Sequence, residues 1–181
     1  MSTKTEATIE DLYKVEGKAE LVHGEIVHMS PTGGKPSLAA RAIVFSLYEY
    51  EKRTKGGYAV TDNAAFRVNL PHRKSFSPDA AFYTGGEATM KFFEGAPVFA
   101  AEVRSEGDYG PKAEEAMARK RADYFAAGTR VVWDVDLLSE TPVRVFRAGD
   151  AENVTVYRRG ETAEAEPALP GWTMPVDDLF V

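Results

Sequence analysis

The chain of 181 residues contains no cysteine, which removes disulfide frameworks, thiolate nucleophiles and zinc–thiolate sites together. Histidine is scarce. His23, His28 and His72 fall in a turn, a strand and a loop, with no spacing that suits a zinc site. No G-x-S-x-G elbow occurs, so a serine hydrolase is disfavoured. The Gly-Gly pairs at 33, 56 and 85 lack the lysine and hydroxyl of a phosphate-binding P-loop. No stretch approaches the ~20 apolar residues of a membrane span. The opening MSTKTEATIEDLY has no apolar signal-peptide core, so the expectation is a cytoplasmic protein with no membrane segment.

What is present is ordinary for a globular protein: 44% hydrophobic and 28% charged residues exclude wholesale disorder and a fibrous repeat. The length suits a single domain over 1–181, with residues 1–8 expected to be flexible. The acidic, proline-broken tail 161–181 is expected to dock on the body through Leu169, Trp172 and Leu179. The net charge of −6 argues against a generic nucleic-acid coat. All of it resides in residues 134–181, which hold ten acids and four bases. From Lys35 to Lys74 the balance reverses, with eight bases, among them Lys35, Arg41, Arg73 and Lys74, against three acids. Such a region permits a polyanionic substrate, and reads equally well as a solvated helix face with a loop.

Residues 9–17 suggest a short helix, and ELVHGEIVHM two strands about a turn at His23-Gly24. Apolar positions at helical spacing run from Ser37 to about Thr54. YAVTD and AAFRVNL read as strands, and PDAAFY and PVFAAEVRS as central strands; GGEATMKFFEGA between the latter pair reads as a loop or one helical turn. Residues 111–127 carry the strongest helix signal, with Pro111 in its first turn and Gly128 at its end. RVVWDVD, VRVFRA and NVTVYRR follow as strands. Strand–helix–strand order from 97 to 136 implies a parallel pair with a crossover helix, and the hairpins add antiparallel strands. The expected fold is α/β, a mixed sheet flanked by helices.

Three polar residues break this pattern. Alternation along VFAAEVRS puts Glu102 inside a strand covered on both faces, where an unpaired carboxylate costs several kcal/mol. Asp79 stands at the mouth of PDAAFY. Lys120 falls within the apolar stripe Ala113, Ala116, Met117, Tyr124 and Ala127 of the 111–127 helix. Two carboxylates at neighbouring strand ends could hold Mg²⁺ or Mn²⁺, with an ammonium beside them to orient water and offset developing charge. The same positions have a plain packing account: Asp79 shapes a turn, Glu102 pairs with Arg104 or Arg130, and Lys120 reaches solvent. A glycosidase would also use two carboxylates, but calls for aromatic sugar platforms rather than an inward lysine.

The ordered strings ELVHGEIVHMSP, SFSPDAAFY, APVFAAEVRS, KRADYFAAGTRVVWDVD and LPGWTMPVDDLF resemble the Uma-type restriction endonuclease family. That family is similar in fold to the PD-(D/E)xK nuclease superfamily, and the resemblance spans about residues 9–180. It implies a restriction-endonuclease-like fold. It also implies that Asp79 and Glu102 ligate metal, that Val103 offers its backbone carbonyl to the same ion, and that Glu20 approaches from the opposite side. Lys120 matches a lysine moved onto the helix from its usual place two residues after the acid. That usual place holds Arg104, which stays protonated and could contact phosphate but could not serve as a base.

The reading that joins these observations is a Mg²⁺- or Mn²⁺-dependent DNA endonuclease. Asp79, Glu102, Lys120 and Glu20 would form the catalytic group, and Lys35, Arg41, Arg73, Lys74 and Arg104 would be candidate phosphate contacts. A homodimer suits double-strand cleavage. The alternative is an inactive nuclease-fold protein with a binding or regulatory role.

Overall fold

The two short apolar runs read as central strands lie side by side inside a six-stranded sheet. The computed structural model describes residues 5–180. In chain order its elements begin with α1 (Ile9–Leu12), β1 (Ala19–Val22), β2 (Glu25–His28), α2 (Gly34–Thr54), β3 (Tyr58–Thr61), β4 (Phe66–Arg67), β5 (Ser75–Phe76) and β6 (Ala80–Tyr83). They continue with β7 (Phe93–Glu94), β8 (Phe99–Val103), α3 (Pro111–Ala127), β9 (Val131–Val135), β10 (Val143–Arg147), β11 (Thr155–Tyr157), β12 (Thr162–Glu164) and β13 (Thr173–Pro175). The main sheet runs β11-β10-β9-β8-β6-β3. β8 and β9 are parallel and joined by α3, as a parallel pair requires; the other neighbours are antiparallel. This is the mixed α/β architecture expected. No helix among the described residues is long and apolar enough to cross a membrane.

Alternation along β8 divides the core. Phe99, Ala101 and Val103 face α2, which lays Ala39, Ala40, Ile43, Val44, Leu47 and Tyr50 against the sheet. The C-terminal segment closes the same face. Its β12–β13 hairpin and a final turn of 3₁₀ helix at Val176–Leu179 bury Leu169, Trp172, Met174 and Leu179. Trp172 packs 4.9 Å from Trp133 and donates its Nε1–H to Ser46 Oγ at 3.0 Å.

Ala100 points to the opposite face, with Phe76, Tyr124 and Val132. This face is covered by α3 and by a small sheet of order β5-β4-β7. Along α3 only Asp123 and Tyr124 are fully buried, and Ala116 is exposed. The expected apolar stripe is thus partial: Tyr124, Phe125 and Ala127 pack on the Phe76 cluster, Ala116 is exposed, and Lys120 meets Glu20 and Glu102.

Other departures have local causes. The first helix is a single turn, Ile9–Leu12, opened by a capping box between Thr8 and Asp11, and Gly17 at φ +85° lies in the connection to β1. AAFRVNL supplies only two strand residues, and they join the small sheet. Phe93–Glu94, within a segment read as loop or helix, pairs in parallel with β4. The His23-Gly24 turn forms as read, with both residues at positive φ (50° and 68°), the geometry of a two-residue hairpin turn. The flexibility expected at residues 1–4 lies outside the described residues; beyond it, Ala7 N–H donates to Gly24 O at 2.8 Å.

Candidate active site

β6 and β8 pair with Ala80 opposite Ala101, which sets Asp79 and Glu102 beside each other at one end of the pair. The regular ladder ends there, and the Asp79 carboxylate continues it by accepting the Val103 N–H on Oδ2 at 2.7 Å. Val103 thus fixes the Asp79 rotamer through its amide. Glu102 projects from the face that α3 covers. Its Oε1 accepts the Tyr124 hydroxyl at 2.6 Å and lies 2.8 Å from Lys120 Nζ.

Lys120 also lies 2.9 Å from Glu20 Oε1, so one ammonium joins the β1 glutamate to the β8 glutamate. The side chain is 18% exposed, and its inward direction agrees with helix periodicity. Glu20 is held from three sides: Oε1 also accepts Ser77 N–H at 2.8 Å, and Oε2 accepts Arg73 Nη1–H at 2.6 Å. Arg73 in turn donates from Nε to Asp123 Oδ2 at 2.8 Å, and Asp123 Oδ1 meets His72 Nε2 at 2.6 Å. Asp79, Glu102, Glu20 and Lys120 therefore come together at one end of the β6–β8 pair.

The electrostatics differ between the two glutamates. Burial raises the Glu102 pKa, and the neighbouring Asp79 and Glu20 charges add to that, against the pull of Lys120 and Lys18. Burial works on Glu20 the same way, but Lys120, Arg73 and the Ser77 amide outweigh it and hold Glu20 below the usual carboxylate range. Burial disfavours the charged form of Lys120, but Glu102 and Glu20 outweigh it and keep the ammonium protonated far above neutrality. Its chemistry in this state is that of a fixed positive charge.

Lys18, just before β1, belongs to the site and was not read from the sequence. Its Nζ lies 2.8 Å from Asp79 Oδ1 and 2.6 Å from Asp62 Oδ1. Burial opposes its charge, but Asp79 and Glu102 raise its pKa. No periodic pattern marks Lys18, because it stands outside the strand between Gly17 and Ala19.

The candidate phosphate contacts separate into two groups. Lys35 and Arg41 are exposed on α2. Lys74 donates to Asn69 Oδ1 and Leu70 O, both at 2.9 Å. Arg73 and Arg104 are buried, at 7% and 4% exposure, and engaged by acids. Arg104 forks onto Asp134, with Nε to Oδ1 and Nη2 to Oδ2 both at 2.8 Å, and also bonds Glu114 of α3. These two arginines form structural ion pairs, whereas Lys35 and Arg41 make no such buried pair and lie at the surface. Asp134 is the acid the sequence reading passed over: it lies opposite Glu102 on β9, inside an otherwise apolar strand.

The donor set suits a hard divalent cation. Glu20, Asp79 and Glu102 offer carboxylate oxygens and nothing softer, the ligand type that Mg²⁺ and Mn²⁺ take. Among the described residues no group of three His, Cys, Asp or Glu side chains is arranged to hold a metal ion; Lys18 pairs with Asp79, and Lys120 joins Glu20 to Glu102.

A profile of the Uma2 family, described as "Putative restriction endonuclease", matches residues 7–177. No curated protein matches the chain. Among solved structures, the chain is similar to one titled a putative nuclease belonging to DUF820 from Anabaena variabilis ATCC 29413. The TM-score is 0.75 at 18% identity, over 96% of this chain and 97% of that one, a likeness that shows a shared fold. The extent of the profile match, nearly the whole chain, settles the family: this protein belongs to the Uma2 family.

Proposed function

We propose that the protein is a Mg²⁺- or Mn²⁺-dependent DNA endonuclease whose reaction is phosphodiester hydrolysis. The observation that carries this reading is the convergence of Asp79, Glu102 and Lys120 from two neighbouring strand ends and a helix. Asp79 and Glu102 would hold the cation, with the Val103 carbonyl as a further oxygen, and the cation would supply Lewis-acid activation of the phosphoryl group and of water.

The chain's own residues perform the rest. The Val103 amide and the Tyr124 hydroxyl set the rotamers of Asp79 and Glu102. Glu20, anchored by Arg73 and Ser77, holds Lys120 at the Glu102 carboxylate. The Lys120 ammonium is then placed to orient the attacking water and to offset charge that develops on the phosphoryl oxygens. Lys35 and Arg41, exposed on α2, are available to DNA phosphates. Two copies related by a two-fold axis would present one site to each strand.

A second reading, a non-catalytic binding protein, draws support from one specific observation. Lys18 and Lys120 already neutralise the acids, so the network is satisfied without a metal. Incubation of supercoiled and single-stranded DNA with Mg²⁺ or Mn²⁺ separates the two. Nicking by the wild type that Asp79→Ala and Lys120→Ala both abolish supports the nuclease. Cleavage unchanged in both variants, or none by the wild type, contradicts it.

A further inference from the structure

Both oxygens of Asp79 are engaged. Oδ2 accepts the Val103 amide, and Oδ1 meets the Lys18 ammonium at 2.8 Å. The same ammonium has a second carboxylate at 2.6 Å, Asp62 Oδ1, in the turn that follows β3. The two aspartates differ in environment: the Asp79 side chain is 13% exposed and the Asp62 side chain 43%. A divalent cation on Asp79 would therefore meet a resident positive charge at one of the two carboxylate oxygens. Repulsion between the two cations is weakest if the ammonium withdraws toward the more hydrated acid. Lysine suits such a shift, because its charge is a compact point on a stem with four rotatable carbons.

We propose that Lys18 is a positioning residue that competes with the divalent cation for Asp79 Oδ1, and that Asp62 is the second seat that receives its ammonium when the cation binds. The inference rests on the metal-dependent reading of the site. Before the cation arrives, Lys18 holds Asp79 in the rotamer that Val103 also selects. Afterwards Asp62 retains the ammonium nearby, so the charge stays at the rim of the site.

This arrangement predicts effects of opposite sign, which a purely structural ion pair does not. Lys18→Met removes the competitor and tightens Mn²⁺ binding about tenfold, the scale on which residues around metal ligands act. Asp62→Asn removes the second seat, leaves the ammonium to Asp79 alone and weakens Mn²⁺ binding about tenfold. The test is a calorimetric titration of the full chain with MnCl₂, with Asp79→Ala as the blank. Thermal melting checks that each variant is folded, and Lys18→Gln stands in if the methionine variant is not. Tightening in the Lys18 variant together with weakening in Asp62→Asn supports the inference. Shifts of the same sign, or none in either, overturn it while leaving the metal site intact. A wild type that shows no Mn²⁺ binding beyond the blank overturns the metal reading and this inference with it.

Discussion

Arg104 occupies the slot two residues after Glu102 where the PD-(D/E)xK pattern places its lysine, and the structure gives it other work. A fork onto Asp134 and a bond to Glu114 bury the guanidinium between β8, β9 and α3. Lysine could not reproduce that fork. Arg104→Lys is therefore expected to lose about 3 kcal/mol of stability, the scale for breaking a buried pair; urea unfolding measures it. Lys120 carries the opposite expectation. Glu20 keeps Arg73 and Ser77 without it, and Glu102 keeps Tyr124. Lys120→Met should thus remain folded while DNA nicking falls by about a hundredfold or more, as for loss of a positioned catalytic group; a nicking time course reads it. At this scale Lys120 was legible because helix periodicity fixes direction. Lys18 was not, since a residue outside any element has no face to assign. Asp134 left a readable mark, an acid in the apolar run RVVWDVD, but only the strand register reveals Arg104 as its partner.

The element that assembles the site is α3. It starts at Pro111 without a side-chain cap from Gly110, and Glu114 in its first turn favours the helix dipole and meets Arg104. The hydrogen bond from Arg104 holds the Glu114 pKa below its usual range, against a smaller opposing effect of burial. A depressed pKa stabilises the fold above the ordinary carboxylate pKa, and that stabilisation is lost as pH falls through the folded value. Glu114→Gln should lower the melting midpoint at pH 7, and the gap from wild type should narrow as pH falls below the ordinary carboxylate range; a melting series across pH checks both. The limits of α3 were legible because Pro111 and Gly128, the latter at φ +111°, punctuate it. The β5-β4-β7 sheet was not, because two-residue strands carry no period to detect. Its consequence is nonetheless large. Phe66 in β4 is fully buried between Tyr83 and Phe93, and Phe66→Ala should cost about 3–5 kcal/mol in denaturant unfolding.

For the whole molecule, the charge asymmetry of the sequence acquires a spatial meaning. Part of the basic Lys35–Lys74 region turns inward, where Arg73 fixes Glu20, while Lys35 and Arg41 stay exposed on α2. The acidic C-terminal segment packs under α2, on the sheet face opposite α3. Six of the eight bases of the Lys35–Lys74 region, Lys35, Arg41, Lys52, Arg53, Lys55 and Arg67, are exposed, so DNA binding should weaken with salt, by a log–log slope of about −0.9 for each phosphate contact they make. Fluorescence anisotropy across a salt series measures that slope. The mixed sheet and its crossover could be read from strand order, because a parallel pair demands a long connection. The Lys18 charge at Asp79 could not, since it joins residues 61 positions apart.

The most direct test is anomalous diffraction from crystals grown with Mn²⁺. One peak touching both Asp79 and Glu102, with metal–oxygen distances of about 2.1–2.2 Å, is the predicted result. Carboxylates still paired with Lys18 and Lys120, with no peak between them at saturating Mn²⁺, would contradict the nuclease account.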